Sequence, residues 1–136
     1  MRSLFGISFT FLASTLVACS SSDANTAGTA PVISELNWAP QRVQSGPASQ
    51  IILGTLRTND AERDVIELHV VVTPPGGTDT EIAPIAVPNP NPAARIELTV
   101  EVQATFRQTG AYGFRVWARD AGGRDSNSLS GQIESM

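Results

Sequence analysis

The sequence contains a single cysteine, Cys19, among its 136 residues. A lone cysteine cannot form an intramolecular disulfide, and it cannot supply the several thiolates of a cysteine-based metal site. If Cys19 is consumed by a modification, no thiol remains to act as a nucleophile. The folded part of the chain must therefore be held together by its hydrophobic core, even in a compartment that permits disulfides.

Basic residues and histidine are also scarce. The nine basic residues are all arginine, against thirteen acidic residues, and Arg2 is the only charge ahead of Cys19. The chain from Cys19 onward therefore carries eight arginines and a net charge of −5. An acidic protein without a basic run is a poor partner for nucleic acid or anionic lipid. The single histidine, His69, does not supply the three or four ligands of a transition-metal site.

No apolar run in the sequence is long enough to predict a membrane-spanning helix. The longest run, residues 4–18, is shorter than the roughly 20 residues that such a helix needs, and no stop-transfer charges follow it. With Arg2 in front of it, the run is typical of the hydrophobic region of a secretory signal peptide.

The end of this run carries a more specific motif, Leu16-Val17-Ala18-Cys19. It resembles the lipobox of bacterial lipoproteins, in which the cysteine becomes the first residue of the mature protein. The resemblance implies that residues 1–18 are a lipoprotein signal peptide and that Cys19 carries two or three acyl chains, enough for stable anchoring in a membrane. The alternative is an ordinary signal peptide in which the cysteine is incidental.

Residues 19–30 form the predicted link between the anchor and the folded domain. After Cys19 they contain no apolar side chain larger than alanine, so we expect a flexible linker with a mean reach of under about 20 Å. Ser20 follows the cysteine at a position where many inner-membrane lipoproteins of Gram-negative bacteria carry aspartate. The resemblance therefore implies a location in the cell envelope, at the outer membrane, with the domain close to the bilayer.

From residue 31 onward, apolar and polar side chains alternate with a period of two, which predicts β-strands. Pro84 interrupts the fourth strand and favours an edge position. In the second strand, either Ile51 and Leu53 or Ile52 and Leu56 face the core. The seven predicted strands are residues 32–38, 50–58, 65–73, 80–87, 95–103, 112–119 and 126–134.

Seven short strands separated by turn signals favour a β-sandwich over residues 31–136, with a small barrel as the alternative. Residues 110–114 resemble the tyrosine corner of immunoglobulin-like (Ig-like) domains. This implies that Tyr112 hydrogen-bonds to the preceding loop and that Phe114 takes the place of the second disulfide cysteine. Residues 114–126 resemble the closing hairpin of PKD-like, cadherin-like and bacterial Ig-like modules. The prediction is an all-β fold, a seven-stranded Ig-like antiparallel β-sandwich.

Candidate catalytic and metal-binding residues are few. His69 lies on an outward strand face with no G-x-S-x-G motif in the sequence, so we expect a solvent-exposed histidine and no enzyme. Acidic residues of two loops, around Asp60 and Asp120, are candidates for calcium. They lack the regular spacing of known calcium loops, so we interpret them as turns, with no metal or cofactor.

The strongest candidate surface lies on the third, sixth and seventh strands, which are neighbours in one sheet of an Ig-like sandwich. Their outward side chains include Glu67, His69, Arg115, Trp117 and Arg119. An exposed tryptophan between two arginines is typical of a binding hot spot. The alternative is a cross-strand cluster without binding function. We expect a non-catalytic binding or scaffolding protein whose partner is an envelope protein or, alternatively, a glycan or peptidoglycan.

Overall fold

The computed structural model describes residues 28–136. The predicted signal peptide, Cys19 and most of the predicted linker lie outside this range, so what was predicted for them remains a prediction. Every regular element of the described range is a β-strand. None of its elements is a helix long and apolar enough to cross a membrane.

The nine strands of this range form two sheets that pack face to face. The three-stranded sheet has the order β1-β3-β7, and the larger sheet has the order β2-β9-β8-β4-β5, with β6 also paired to β4. All pairings are antiparallel except the short parallel pair of β2 with β9. The strands are β1 (Val32–Ala39), β2 (Arg42–Val43), β3 (Ser49–Asn59), β4 (Val65–Thr73), β5 (Thr80–Glu81), β6 (Ile85–Ala86), β7 (Arg95–Thr105), β8 (Gly110–Asp120) and β9 (Leu129–Ser135).

This architecture confirms the predicted Ig-like β-sandwich, with two differences in strand count. The predicted fourth strand is split into β5 and β6 because Pro84 removes a backbone donor between them. Both halves pair with β4, and they lie at the edge of the sheet, the position that was predicted. The sequence analysis missed β2, which has only two residues and depends on its pairing with β9.

The core lies between the two sheets and follows the period-two pattern. In β3 the structure decides which face is buried: Ile52 and Leu56 are fully enclosed, whereas Ile51 and Leu53 are 56% and 42% exposed. In β7 the residues Val100 and Val102 are buried, and the charged residues of the strand point outward, as predicted.

Trp38 of β1 is the tryptophan of the core, a role that immunoglobulin domains give to the third strand. Its ring lies 5.0 Å from that of Phe114, centroid to centroid. A Cβ atom on Gly54 would lie 2.6 Å from the ring, and one on Gly131 would lie 2.7 Å from it. Both glycines are therefore required where they stand, because a larger residue would occupy the space of the ring.

The predicted tyrosine corner is also present. The hydroxyl oxygen of Tyr112 accepts a hydrogen bond from the backbone N–H of Gln108, at 3.1 Å. The Tyr112 ring packs edge-on against Phe106, with 4.8 Å between centroids. Phe114 is buried in the core, as predicted. These contacts fix the start of β8, the strand that carries most of the candidate site.

Candidate functional site

The five predicted surface residues lie together on the outer face of β4 and β8. In the register of these two strands His69 is opposite Trp117, and Glu67 is opposite Arg119. Arg115 lies two residues before Trp117 on the same strand. Ser130 of β9 lies opposite Arg115. We call this surface the β4-β8-β9 face. Its members are brought together by the antiparallel register and by the alternation of side chains along each strand.

His69 was predicted to be solvent-exposed, but the structure shows that only 5% of its surface is exposed. Its imidazole stacks on the Trp117 ring, with 5.0 Å between centroids and 9° between planes. Nε2 lies 2.9 Å from Oε1 of Glu67, and Nδ1 lies 2.9 Å from Oε1 of Glu81. The prediction was wrong because an outward side chain can still be covered by its neighbours, here a tryptophan ring and two carboxylates.

The two carboxylates beside His69 determine how many hydrogen bonds its ring can donate. Ionised carboxylates only accept hydrogen bonds, and a neutral imidazole has one N–H. Both contacts are therefore hydrogen bonds at the same time only when both ring nitrogens carry protons. In that form the ring holds Glu67 and Glu81 in place on either side of it.

Trp117 is half-buried, and it carries cationic and aromatic neighbours. The guanidinium carbon of Arg115 lies 5.7 Å from the centre of its ring, within cation–π range. Arg115 itself is exposed and forms no salt bridge with any residue in the range 28–136. It is therefore available for an anionic partner.

Arg119, in contrast, is already paired. Its Nε donates to Oδ1 of Asp125 at 2.7 Å, and its Nη1 lies 3.8 Å from Oε1 of Glu67. The hydrogen bond from Arg119 lowers the pKa of Asp125, and burial opposes this in part. Arg119 thus acts as part of the cross-strand cluster rather than as a free cation.

A shallow groove adjoins this cluster on the same face. Gly113 of β8 lies opposite Thr73 of β4 and Gln132 of β9, so its missing side chain leaves a depression between the neighbouring strands. The groove has a volume of about 460 Å³. A smaller depression of about 190 Å³ lies beyond Arg115. Residues lining the groove are Val71, Thr73, Asp79, Gly113, Phe114, Arg115, Ser130, Gly131 and Gln132.

Sequence reasoning missed several members of this site. Glu81 lies on a two-residue strand that has no pattern of its own, and Asp79 belongs to the turn before it. Gly113 did carry a signal: glycine in the interior of a strand often marks close approach of a ligand or another backbone. Asp125 was considered only as part of an acidic loop, whereas it pairs with Arg119.

The two acidic loops considered for calcium meet at one end of the sandwich. Asp120 is fully buried, and its two oxygens accept hydrogen bonds from the backbone N–H and the Nε of Arg124. Oδ2 of Asp60 accepts from the backbone N–H of Asp64, at 2.8 Å. Within residues 28–136, no group of three or more histidine, cysteine, aspartate or glutamate side chains is arranged to hold a metal ion.

One carboxyl group of these loops has a shifted pKa. Burial raises the pKa of Asp64, and the neighbouring carboxyl groups of Asp60 and Asp120 raise it further, against the opposing charge of Arg124. Oδ1 of Asp60 and Oδ1 of Asp64 are buried with no hydrogen-bond partner among the described residues. A proton on Asp64 relieves the repulsion between these carboxylates.

Comparison with known proteins yields structural likeness without a family. A scan against protein-family models finds no match, and a search of the curated proteins finds none either. A superoxide reductase (neelaredoxin) from Ignicoccus hospitalis aligns with a TM-score of 0.52 and 9% identity, over 82% of this chain and 84% of that chain.

Two further solved structures are less similar in geometry. The PKD domain of an M14-like peptidase from a Thermoplasmatales archaeon has 18% identity and a TM-score of 0.48, over 80% of this chain and 98% of its own. β-Glucosidase 3B from Thermotoga neapolitana has 16% identity and a TM-score of 0.48, over 79% of this chain and 16% of its own. At these identities likeness concerns the fold alone, and the fold of this chain is an Ig-like β-sandwich.

Proposed function

We propose that this protein is a lipid-anchored, non-catalytic binding module of the cell envelope that recognises its partner with the β4-β8-β9 face. The observation that carries the proposal is the arrangement around Trp117. A half-buried tryptophan and an Arg115 without a salt bridge in the described part of the chain stand beside a cluster in which Arg119 is already paired with Asp125. Tryptophan and arginine are the residues most enriched in binding hot spots.

The buried His69 supports this proposal through rigidity. Because His69 stacks on Trp117 and contacts two carboxylates, the tryptophan ring is held in one orientation before any partner arrives. Side chains that are already ordered lose less conformational entropy on binding. The cross-strand cluster around His69 and the hot spot at Trp117 are therefore compatible, because the cluster holds the tryptophan ring in position.

The opposite sheet offers a weaker candidate surface. The outer face of β7 carries Arg95, Glu97 and Glu101, which alternate with small polar residues as on an ordinary solvated strand. Next to them Ile51 and Leu53 are exposed, but they form only a small apolar patch. Charged residues on an edge strand such as β7 discourage pairing with other chains.

The proposal is tested by comparing Trp117→Ala with Thr99→Ala, a change on the opposite sheet, in capture of partners from crosslinked envelopes. Loss of a hot-spot tryptophan is expected to weaken binding by at least about 2 kcal/mol, about thirtyfold. Thr99→Ala should bind like the natural protein. Unchanged capture by Trp117→Ala, together with a lower melting temperature, would assign Trp117 to the sheet alone.

The anchor is tested separately at Cys19. Intact mass of the membrane-extracted protein is expected to show the loss of residues 1–18 and the added mass of acyl chains. Cys19→Ser should release a soluble protein or leave an unprocessed one. An unmodified thiol at Cys19 in the membrane fraction would contradict the proposed anchor.

A further inference from the structure

Gly113 is a glycine that the fold itself does not require. A Cβ atom at this position would have Thr73 as its nearest neighbour, at 3.6 Å, which is an ordinary contact distance. The backbone is not in the left-handed region there, in contrast to Gly110 with φ of 124°. A strand interior prefers a side chain, since glycine costs about 0.5–1 kcal/mol in such positions. Gly54 and Gly131 differ, because Trp38 occupies the space of their missing side chains.

The consequence of Gly113 is the groove that lies over it, between Thr73 and Gln132. Its volume of about 460 Å³ is in the usual range for small-molecule sites, about 300–1,000 Å³. The strand beneath is paired on both sides, to β4 and to β9. A peptide therefore cannot add to the sheet here through its backbone, and a ligand must be recognised by the side chains around the groove.

The polar groups of the groove differ from one end to the other. At one end stands Arg115, a cation that donates hydrogen bonds and has no salt-bridge partner in the described part of the chain. At the other end stands Asp79, which only accepts; its Oδ1 already accepts from the hydroxyl of Thr73, at 2.6 Å. Ser130 and Gln132, which both donate and accept, lie along the β9 side.

We infer that the groove over Gly113 binds a sugar that carries a carboxylate, with the carboxylate at Arg115 and hydroxyl groups towards Asp79. The guanidinium matches a carboxylate in geometry and charge. Sugar hydroxyls donate to Asp79 and exchange hydrogen bonds with Ser130 and Gln132. Because Gly113 has no side chain, the floor of the groove leaves room for a sugar ring. This inference rests on the proposed function and names the chemical class of ligand on the same face.

The charges at the two ends of the groove limit the number of carboxylates that the ligand can carry. The groove offers one unpaired arginine among the described residues, whereas Asp79 at its other end repels a second anion. A ligand with one carboxylate per bound unit fits, and a densely charged polymer such as nucleic acid does not. The Trp117 ring, already in contact with His69 and Arg115, lines the smaller depression beyond Arg115.

The test uses trigalacturonate, N-acetylmuramic acid and N-acetylneuraminic acid, each next to its methyl ester, titrated into the ¹⁵N-labelled full chain. At least one acid is expected to shift the amide resonances of Gly113 and Arg115, and its ester to bind at least tenfold more weakly. Failure of all three acids to bind at millimolar concentration, equal binding of acid and ester, or shifts confined to another surface would overturn the inference.

Three variants separate the ligand site from the fold. Gly113→Val fills the floor of the groove. This variant is expected to bind the acidic sugar at least tenfold more weakly, while its melting temperature stays equal or rises. Arg115→Gln should abolish the preference for acid over ester, and Arg95→Gln on the opposite sheet should change nothing. Binding of the acid by Gly113→Val as tightly as by the natural protein would overturn the inference.

The outcomes also distinguish this inference from the proposed function. If no acidic sugar binds but Trp117→Ala still loses its envelope partner, the sugar site is wrong and the binding face remains. If an acid binds at Gly113 and Trp117→Ala captures its partner normally, the sugar site holds and the role given to Trp117 is wrong.

Discussion

Gly54→Ala tests whether Trp38 is wedged between two glycines in the core. The new Cβ atom would stand 2.6, 2.8 and 2.9 Å from three carbons of the ring. Carbon atoms prefer separations of about 3.5–4.0 Å, so each of these contacts is about 1 Å too short. The ring cannot retreat, because its opposite edge lies against Gly131 and one face lies against Phe114.

The expected loss of stability follows from this overpacking. Forcing one extra carbon into a closed core typically costs about 1–3 kcal/mol, and alanine regains about 0.5–1 kcal/mol of the entropy that glycine loses. We expect a net loss of about 1 kcal/mol. For a domain of about 100 residues this lowers the melting temperature by about 4–5 °C.

Urea and thermal unfolding followed by tryptophan fluorescence measure this loss directly. Gly46→Ala is the matched control, because nothing lies within 4 Å of a Cβ atom there. A second check uses Trp38→Leu, which opens space next to Gly54. In this background Gly54→Ala should cost less stability than it does in the natural protein. Equal unfolding free energies for Gly54→Ala and Gly46→Ala would refute the wedged arrangement.

The remaining predictions concern the tyrosine corner and the acidic end of the sandwich. Tyr112→Phe removes the acceptor for the Gln108 N–H and should cost about 0.5–1.5 kcal/mol in urea unfolding; a neutral change would mean that the hydroxyl contributes nothing. Burial and nearby carboxylates raise the pKa of Asp64. A carboxyl group whose pKa is raised by folding contributes its full stability below the pKa that it has in the unfolded chain. That contribution is lost as the pH rises through the pKa of the folded state. Asp64→Asn should therefore raise the melting temperature at about pH 7, and this gain should vanish near pH 3, below the ordinary aspartate value; no gain at neutral pH would contradict the assignment. Millimolar calcium should leave the melting temperature unchanged. Calcium at a hundred times the dissociation constant of a site would add about 2.7 kcal/mol to the stability. A clear rise in melting temperature would therefore show that the Asp60 and Asp120 loops bind calcium.

The sequence predicted much of the sandwich because each buried strand repeats a simple alternation. In β4 and β8 that alternation also placed His69, Trp117 and Arg115 on one outer face. That β4 and β8 are neighbours followed from the Ig-like strand order, which the tyrosine corner at Tyr112 indicated. The register that sets His69 against Trp117 was not predicted and comes from the structure. Local pattern and one specific motif were sufficient for this part of the site.

The parts that the sequence did not predict depend on contacts between distant segments. The burial of His69 needs Glu81, which comes from a two-residue edge strand without periodicity. The choice of the buried face in β3 depends on Trp38, which needs Gly54 beneath it. The groove depends on the side chains that neighbouring strands place around Gly113. Alternation along one strand contains none of this information.

The most direct test of the account is site-specific photocrosslinking in intact cells. A photoreactive phenylalanine analogue would replace Ser128, beside Trp117 and outside the groove over Gly113, or Thr99, on the outer face of the other sheet. Both positions are exposed, so each analogue can be accommodated without disturbing the core. We predict that position 128 yields a discrete crosslinked product that Trp117→Ala removes, and that position 99 yields none. A product from position 99 but not from position 128 would contradict the proposed binding face.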